Sequence, residues 1–552
     1  MRFELSHKSL VALLISLSLA SALLAQTHSS SSQGEAAIDQ VYQTILDRYV
    51  AEIDPKKLSD AAIKGMLDEL DPYSQHIYND NSRRLDDITR GEYGGIGIHL
   101  GKLNDSLIVI SPMDGTPAHR QGIRSGDRIV KIDSLWTKDL NFDEASQLIR
   151  GKQGTIVQIL IKRRGENEPI VFDLERELIK VPDISYSGIL RDKTGYVRLS
   201  NFSKYSSEDL EKAVRKLNKT QLSALILDLR GNPGGLLSSA LMSADLFIDE
   251  DELLLETRGR VQQSNKKYHS RRKAIVNRDL PIGILVDGGS ASASEILSGV
   301  LQDYDRAVVI GESTYGKGLV QTVTHLSSET RLKLTTAKYY LPSGRLIQKR
   351  EIAKNIIYED LPESGETSFY SDNNRQFGAG GGVEPDLEVE NLSLSDLERE
   401  LWRKRLFYKY ALDYRALHPE LILPIELEDA QIDSFYQWMV DNNSFPETKL
   451  QRWIKKSNGL VDSSSTILPE LENLFAQLSE LELVRQREEM KANRIQILSG
   501  LETEIASVVG GNGARVAASL KHDPVVQRAI DLLTSSTEVN EILAGTPASS
   551  EF

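Results

Sequence analysis

Hydrophobic and polar positions change period several times along this chain. Ile38, Val41, Ile45 and Tyr49 recur at helical spacing, as do Ile63, Met66, Leu67 and Leu70. They predict a small helical region over 35–85 whose apolar stripes pack against neighbours. Over 89–178 the pattern shortens to strands punctuated by glycine: GGIGIHL, LIVISP, GIRSGDRI and IVQILIKRR, with Phe142 to Ile149 as one helix. Over 181–390 strands and helices alternate. GYVRLSNF, ALILD and PIGILVD read as strands, and SSEDLEKAVRKL as an amphipathic helix with a capping signature at Ser206. Ile296, Leu297, Val300 and Leu301 predict a further helix, and Ala307 to Ile310 a buried strand. Residues 349–378 are polar and read as a surface insertion, with a substrate-contacting flap as the lesser reading.

From 391 to 545 the pattern is helical. Leu397, Leu401, Leu406, Tyr410 and Leu412 give a loose stripe. Leu471, Leu474, Leu478 and Leu481 fit a heptad briefly, until the seam fails at Arg485 and Glu488. A helical appendage fits this better than a long coiled coil, and self-association or adaptor docking are the roles it admits. Ser29 to Gly34 and Ser463 to Ser465 read as linkers, and the Ser/Ala/Pro-rich end as a disordered tail.

Charge and length narrow the picture. The 552 residues suffice for several domains, and the net charge of −14, from 66 basic and 80 acidic side chains, disfavours nucleic acid as a partner. There is no cysteine, so no disulfide contributes and stability must come from packing. Residues 1–25 read as an export signal. Arg2 and Lys8 precede an apolar stretch from Leu10 to Leu19, and Ala20-Ser21-Ala22 is a cleavage pattern, with Ala25 a second end. The expected compartment is the bacterial periplasm, with membrane association through an uncleaved anchor as the alternative.

The chemistry concentrates between Gly288 and Gln321. Ser290, Ser292 and Ser294 stand among alanines, and Lys317 stands between Gly316 and Gly318. A helix out and a strand back can return Lys317 to the serines. A serine hydroxyl needs a base to become a nucleophile. A lysine can be that base only if an apolar pocket destabilises its ammonium form. A helix starting at the serine offers N–H groups to an oxyanion. These residues therefore predict one serine as nucleophile and Lys317 as its base. Three readings compete. Gly311 to Lys317 spells most of a P-loop, but Gly318 stands where a magnesium-binding hydroxyl belongs, and a strand-like LVQTVTHL follows. His325 is nearby and could be a base, but it lies in no glycine-rich turn. The plainest alternative is a Ser/Ala-rich helix start with a surface lysine.

Two resemblances sharpen this. The segment with GIRSGDRI resembles a PDZ domain, and Gly95, Ile96, Gly97 and Ile98 match its carboxylate-binding loop. The motifs DLRGNPGG, GGSASASEI, YGKGLVQ, KYYLPSGRLIQ and GGGVEPD follow it in order. Together they resemble the carboxyl-terminal processing, or tail-specific, proteases. That resemblance implies an α/β spiral-sheet serine protease core with a PDZ domain, flanked here by N- and C-terminal helical regions, a multidomain α+β chain. It implies Ser292 as nucleophile, Lys317 as base and Gln321 as the residue orienting Lys317. It also implies Asp303 as an acidic participant, and backbone N–H of Ala293 and of Gly234 or Gly235 as oxyanion donors. No metal or other cofactor is expected. The expected partners are protein substrates with apolar C-termini. A catalytically inactive PDZ-based scaffold is the reading from another class; it predicts loss of the serine or lysine, and both are present.

Overall fold

The computed structural model describes residues 33–78, 80–103, 105–327, 330–349, 368–390, 393–458 and 468–544. The expected export signal, the 463–465 linker, the tail and residues 350–367 of the expected insertion lie outside them. The described residues divide into two units, one of 33–78, 322–327 and 330–334, the other the remainder.

In the smaller unit a helix over 33–48 precedes α1 (Pro55–Asp68). Pro55 presets the first helical φ, and Asp54 caps the helix by accepting the Lys56 N–H at 2.9 Å. β1 (Gln75–Tyr78) pairs antiparallel with residues 330–333. The turn before it closes on Asp71, which accepts the N–H groups of Tyr73 and Ser74 at 2.8 and 2.9 Å. The expectation that the apolar stripes pack is met only in part, since Ile45, Ile63, Leu67 and Leu70 are half-buried but none is buried. Ile38, Val41, Tyr49 and Met66 are all more than half exposed, and α1 buries no residue. Two short helices beside a narrow strand pairing have too little facing surface to cover both stripes.

In the larger unit the glycine-punctuated region forms an antiparallel sheet. Its main path runs β2 (Ile98–Leu103), β3 (Ser106–Pro112), β4 (Arg128–Ile132), β5 (Ile156–Lys162), β6 (Ile170–Glu175). Period-2 alternation decides its core: Val157, Ile159 and Ile161 of β5 are buried, and Ile156 and Gln158 are exposed. α2 (Phe142–Ile149) closes the sheet through Ala145 and Ile149. Its start is fixed by a reciprocal cap between Asn141 and Glu144.

The alternating region forms a six-stranded sheet in sequence order: β7 (Ile184–Ile189), β8 (Thr194–Leu199), β9 (Ala224–Asp228), β10 (Ile282–Val286), β11 (Val308–Gly311), β12 (Leu387–Glu388). All pairs but β7–β8 are parallel. Helices make the crossovers: α3 (Ser206–Asn218) after β8, and α5 (Ala293–Asp303) after β10, while α4 (Leu237–Ala244) leaves β9. Both faces of the sheet are apolar, as a parallel sheet requires. Leu225, Leu227, Ile284 and Val309 face α3, α4 and α5. Ala224, Ile226, Leu285, Val308 and Ile310 face the other way.

The C-terminal helices form a second core, in which α6 (Leu406–Leu417) packs on α7 (Arg494–Leu520). Leu397, Leu401, Leu406 and Tyr410 of the expected stripe are buried there. The Tyr408 hydroxyl donates to the carbonyls of Val109 and Ile110 on β3 at 3.3 and 3.0 Å. The last part of this region is not an appendage. α8 (Pro524–Thr534) covers the second face of the six-stranded sheet with Val525, Val526, Ala529, Ile530, Leu532 and Leu533. At roughly 1.5–3 kcal/mol per large aliphatic side chain, that contact stabilises the sheet by on the order of 10 kcal/mol. The expected insertion is also partly structural. Arg375, within a short hairpin (Phe369–Tyr370 with Gln376–Phe377), is buried and pairs with Asp305 and Asp386. A polar stretch reads as surface unless its charges are paired, and these are. No described helix is long and apolar enough to cross a membrane.

Candidate active site

The serines lie where β9 and β10 end. Adjacent parallel strands both release loops at their carboxyl ends, the usual place for a site in such a sheet. Asp287, just past β10, ties the two loops together. Its Oδ1 accepts the N–H of Gly289 at 2.9 Å and of Gly231 at 2.8 Å. Ser290 and Ser294 are fully buried, and their hydroxyls donate to the carbonyls of Leu229 at 2.8 Å and Asn232 at 2.9 Å. Those two hydroxyls hold the loops. Ser292 is half-buried, the most accessible of the three. It sits immediately before α5 at φ 54°, ψ −109°, a conformation that costs a non-glycine residue about 1–3 kcal/mol.

Gly234 explains the glycine turn opposite. It has φ 98°, and a Cβ there would lie 2.7 Å from the Ala291 carbonyl oxygen and 2.9 Å from Ser292 Cβ. Only glycine lets this loop approach the serine. The Gly234 N–H is already given to Asn232 Oδ1 at 2.9 Å, which corrects its assignment as an oxyanion donor. Gly235, beside it, makes no such bond. Ala293 is the first residue of α5, so its N–H has no partner within the helix.

The lysine loop is brought to the serine loop by Glu295, which the sequence reading missed. Glu295 is fully buried in the first turn of α5. Its Oε2 accepts the N–H of Ser292 at 2.7 Å and of Lys317 at 2.9 Å. Its Oε1 accepts the Gly316 N–H and the Thr314 hydroxyl, both at 2.6 Å. One carboxylate thus joins the backbones of the serine and the lysine. Burial pushes its pKa up, against the pull of those four donors. The signal was present as S-x-x-E from Ser292 to Glu295, a capping pattern. From the other side the Tyr339 hydroxyl donates to the Lys317 carbonyl at 2.6 Å and lies 3.3 Å from the Ser292 carbonyl. The SGRLIQ and GGGVEPD motifs stand behind the lysine. Gln348 accepts the Gly318 N–H at 2.9 Å, and Thr314 accepts the Val383 N–H at 2.7 Å.

The other expected residues divide. Lys317 is half-buried beside this network. Gln321 is half-buried, with its amide 3.4 Å from the Leu319 carbonyl and 3.5 Å from the Thr335 hydroxyl. His325 is exposed. Asp303 is corrected. It ends the eleven-residue helix that Ser292 precedes, on the order of 15 Å away at 1.5 Å per residue. There it pairs with buried Arg345 at 2.8 Å and accepts the Ser343 N–H at 2.9 Å. Its charge is spent on structure.

A groove of about 330 Å³ lies between β2 and α2, lined by Ile96, Ile98, Leu100, Phe142, Ser146 and Ile149 among others. Gly97 has φ 75°, and its carbonyl accepts the Met113 N–H at 2.9 Å and the Thr116 hydroxyl at 3.1 Å. At the groove's end the Arg150 guanidinium stacks 4.2 Å from the Tyr93 ring centre and pairs with Asp87 at 2.7 Å.

Comparison with known proteins agrees with this organisation. The family model described as peptidase family S41 matches residues 193–358, and a PDZ domain model matches 108–163. The model "Probable PDZ-protease, C-terminal helical domain" matches 397–533, and "Activating protease CtpB N-terminal domain" matches 17–81. The carboxy-terminal-processing protease of Bartonella bacilliformis is 38% identical over 333 residues, 59% of this chain and 76% of that protein. The probable CtpA-like serine protease of Staphylococcus aureus (strain COL) is 36% identical over 324 residues, 58% of this chain and 64% of that protein, so the chain spans just under two thirds of its length. Among solved structures, the photosystem II D1 C-terminal processing protease matches with 25% identity and a TM-score of 0.35, over 64% of this chain and 86% of that one.

Proposed function

This chain belongs to the PDZ-containing carboxy-terminal-processing proteases of peptidase family S41, a family of serine peptidases, and on that premise we propose that Ser292 and Lys317 are its catalytic dyad. In the proposed cycle the uncharged Lys317 amine takes the Ser292 hydroxyl proton as the oxygen attacks the scissile carbonyl. The Ala293 and Gly235 N–H groups hold the oxyanion that forms. The Lys317 ammonium then returns the proton to the leaving amine, and the C–N bond breaks. Water, deprotonated by the same amine, hydrolyses the ester and restores Ser292. Gln321 orients Lys317. The groove between β2 and α2 takes an apolar C-terminal tail as an added strand, with the loop at Gly95 to Ile98 facing its carboxylate. The reading includes export, on the strength of Arg2, Lys8 and the apolar stretch behind them.

The observation that carries it is the shared Glu295 oxygen, which joins the backbone of a strained, accessible serine to that of a lysine. The test is cleavage of a tail-labelled peptide. Ser292→Ala and Lys317→Ala are expected to cut none, while both still bind the tail; His325→Ala is expected to cut as wild type. Equal peptide loss with wild type and Ser292→Ala would reject the enzyme reading and leave a tail-binding scaffold.

A further inference from the structure

The loop that faces Ser292 hangs from a buried charge cluster. Asp228, the last residue of β9, is fully buried. Burial opposes its charge, but Arg230 more than offsets this and holds the carboxyl below the usual range. Its Oδ2 accepts the Tyr196 hydroxyl at 2.6 Å and Arg230 Nη2 at 2.7 Å, and its Oδ1 accepts Arg230 Nε at 3.0 Å. One edge of the guanidinium is thereby used.

The other edge meets a residue 293 positions further along the chain. Asp523 Oδ1 accepts Arg230 Nη1 at 3.1 Å, and its Oδ2 lies 2.8 Å from Nη2. Asp523 also caps α8, accepting the Val526 N–H at 3.0 Å. A guanidinium gripped along one edge can pivot about it; a second carboxylate on the opposite edge fixes its plane. Without Asp523, Nη1 would be left buried and unpaired.

What Arg230 holds is the serine's surroundings. Leu229 gives its carbonyl to Ser290. Gly231 gives its N–H to Asp287. Asn232 gives its carbonyl to the Ala291 N–H at 3.0 Å and to the Ser294 hydroxyl. Gly234 touches Ser292, and Gly235 follows. A loop bonded this closely passes on any displacement of its anchor, and a shift of about 1 Å in a reacting geometry costs on the order of 100-fold in rate.

We propose that Asp523, contributed by the C-terminal helical region, is a positioning residue for the peptidase reaction: it locks Arg230 and so fixes the loop whose Gly234 packs against Ser292. This rests on the reading of Ser292 as nucleophile. The helical region is then part of the catalytic machinery.

The test uses the full chain. Asp523→Asn keeps a capping side chain, because asparagine caps as well as aspartate, and removes the charge. Asp523→Glu keeps the charge. Asp523→Asn is expected to lower kcat on a tail-bearing peptide about tenfold with KM within about twofold, and to slow labelling of Ser292 by a fluorophosphonate in proportion. Loss of the ion pair should lower its melting temperature by only a few degrees, and Asp523→Glu should regain most of the lost kcat. Wild-type cleavage and labelling by Asp523→Asn would overturn the proposal. So would a kcat loss that tracks a fall in melting temperature and is not regained by glutamate. Ser292→Ala, run alongside, separates the two claims. If it is inactive, the Asp523 result is judged alone; if it cuts like wild type, the nucleophile reading fails and this proposal falls with it.

Discussion

The serine loop and the groove between β2 and α2 both depend on glycine, but they are assembled in opposite ways. The groove is local. Its lining residues come from β2, α2 and the segments beside them, and its loop is held by short-range bonds, from Met113, Thr116 and Ala118 to Gly97 and Ile96. The serine loop is fixed from several distant stretches. Leu229 to Gly235, Asp287 to Ser292, Thr314 to Gly318, Tyr339 and Gln348 all contribute, and two of its fixing groups are buried carboxylates, Asp228 and Glu295, with the half-buried Asp523 behind Arg230. Capturing a flexible tail needs backbone N–H groups and an apolar slot, which one small domain supplies. Holding a strained serine beside a lysine needs charges fixed in a dry interior, which requires many segments to agree. The groove should therefore tolerate single changes gradually, and the serine loop abruptly.

Glu295→Gln tests the abrupt side and should have the largest effect. The amide is isosteric, but its NH2 must face N–H groups that need an acceptor. A buried unsatisfied donor costs about 1–3 kcal/mol, and kcat is expected to fall on the order of 100-fold, read by steady-state kinetics, with tail binding intact. The same variant carries a pH signature. Burial holds the Glu295 carboxyl above its ordinary value, so the folded state binds that proton more tightly than the unfolded chain. Its stability contribution is full below the ordinary glutamate pKa and is lost as pH rises through the raised native one. Urea titrations across that window should show wild type losing stability with rising pH relative to Glu295→Gln; the opposite slope would contradict the burial argument.

Gly97→Ala tests the gradual side. At φ 75° a Cβ would lie 2.4 Å from the Thr116 side chain, and the left-handed conformation alone costs about 1–2 kcal/mol. Tail affinity measured by fluorescence anisotropy should fall roughly tenfold, with cleavage of a short tailless substrate unchanged. Phe142→Ala should have the smallest effect. Phe142 lies at the groove's rim and is 44% exposed, so losing part of one apolar contact, about 1 kcal/mol, should raise KM roughly fivefold at constant kcat. A large kcat loss in either groove variant would show that the two regions are not built as separately as their contacts imply.

The contrast also governs what could be read from the sequence. Local devices were legible: the glycines around Ile96, the serines after PIGILVD, the lysine between glycines, and the alternation of buried strands. Devices that depend on distant partners were not. Glu295 looks like an ordinary first-turn glutamate until four donors converge on it. Asp303 looked available because its partner, Arg345, lies far along the chain. Arg375 looked like surface until Asp305 and Asp386 surrounded it. The stripe through Ile38 and Val41 predicted packing because periodicity reports an apolar face without reporting what covers it.

The placement of α8 has a consequence for the order in which the protein becomes competent. A ribosome delivers Pro524 to Thr534 only after every strand of the sheet they cover. Until then one apolar face of the sheet, with Ile226, Leu285 and Ile310, stands bare, and Arg230 lacks its second anion. If Asp523 positions the serine loop as proposed, a copy made only as far as β12 cannot yet set Ser292, and cutting waits for α8.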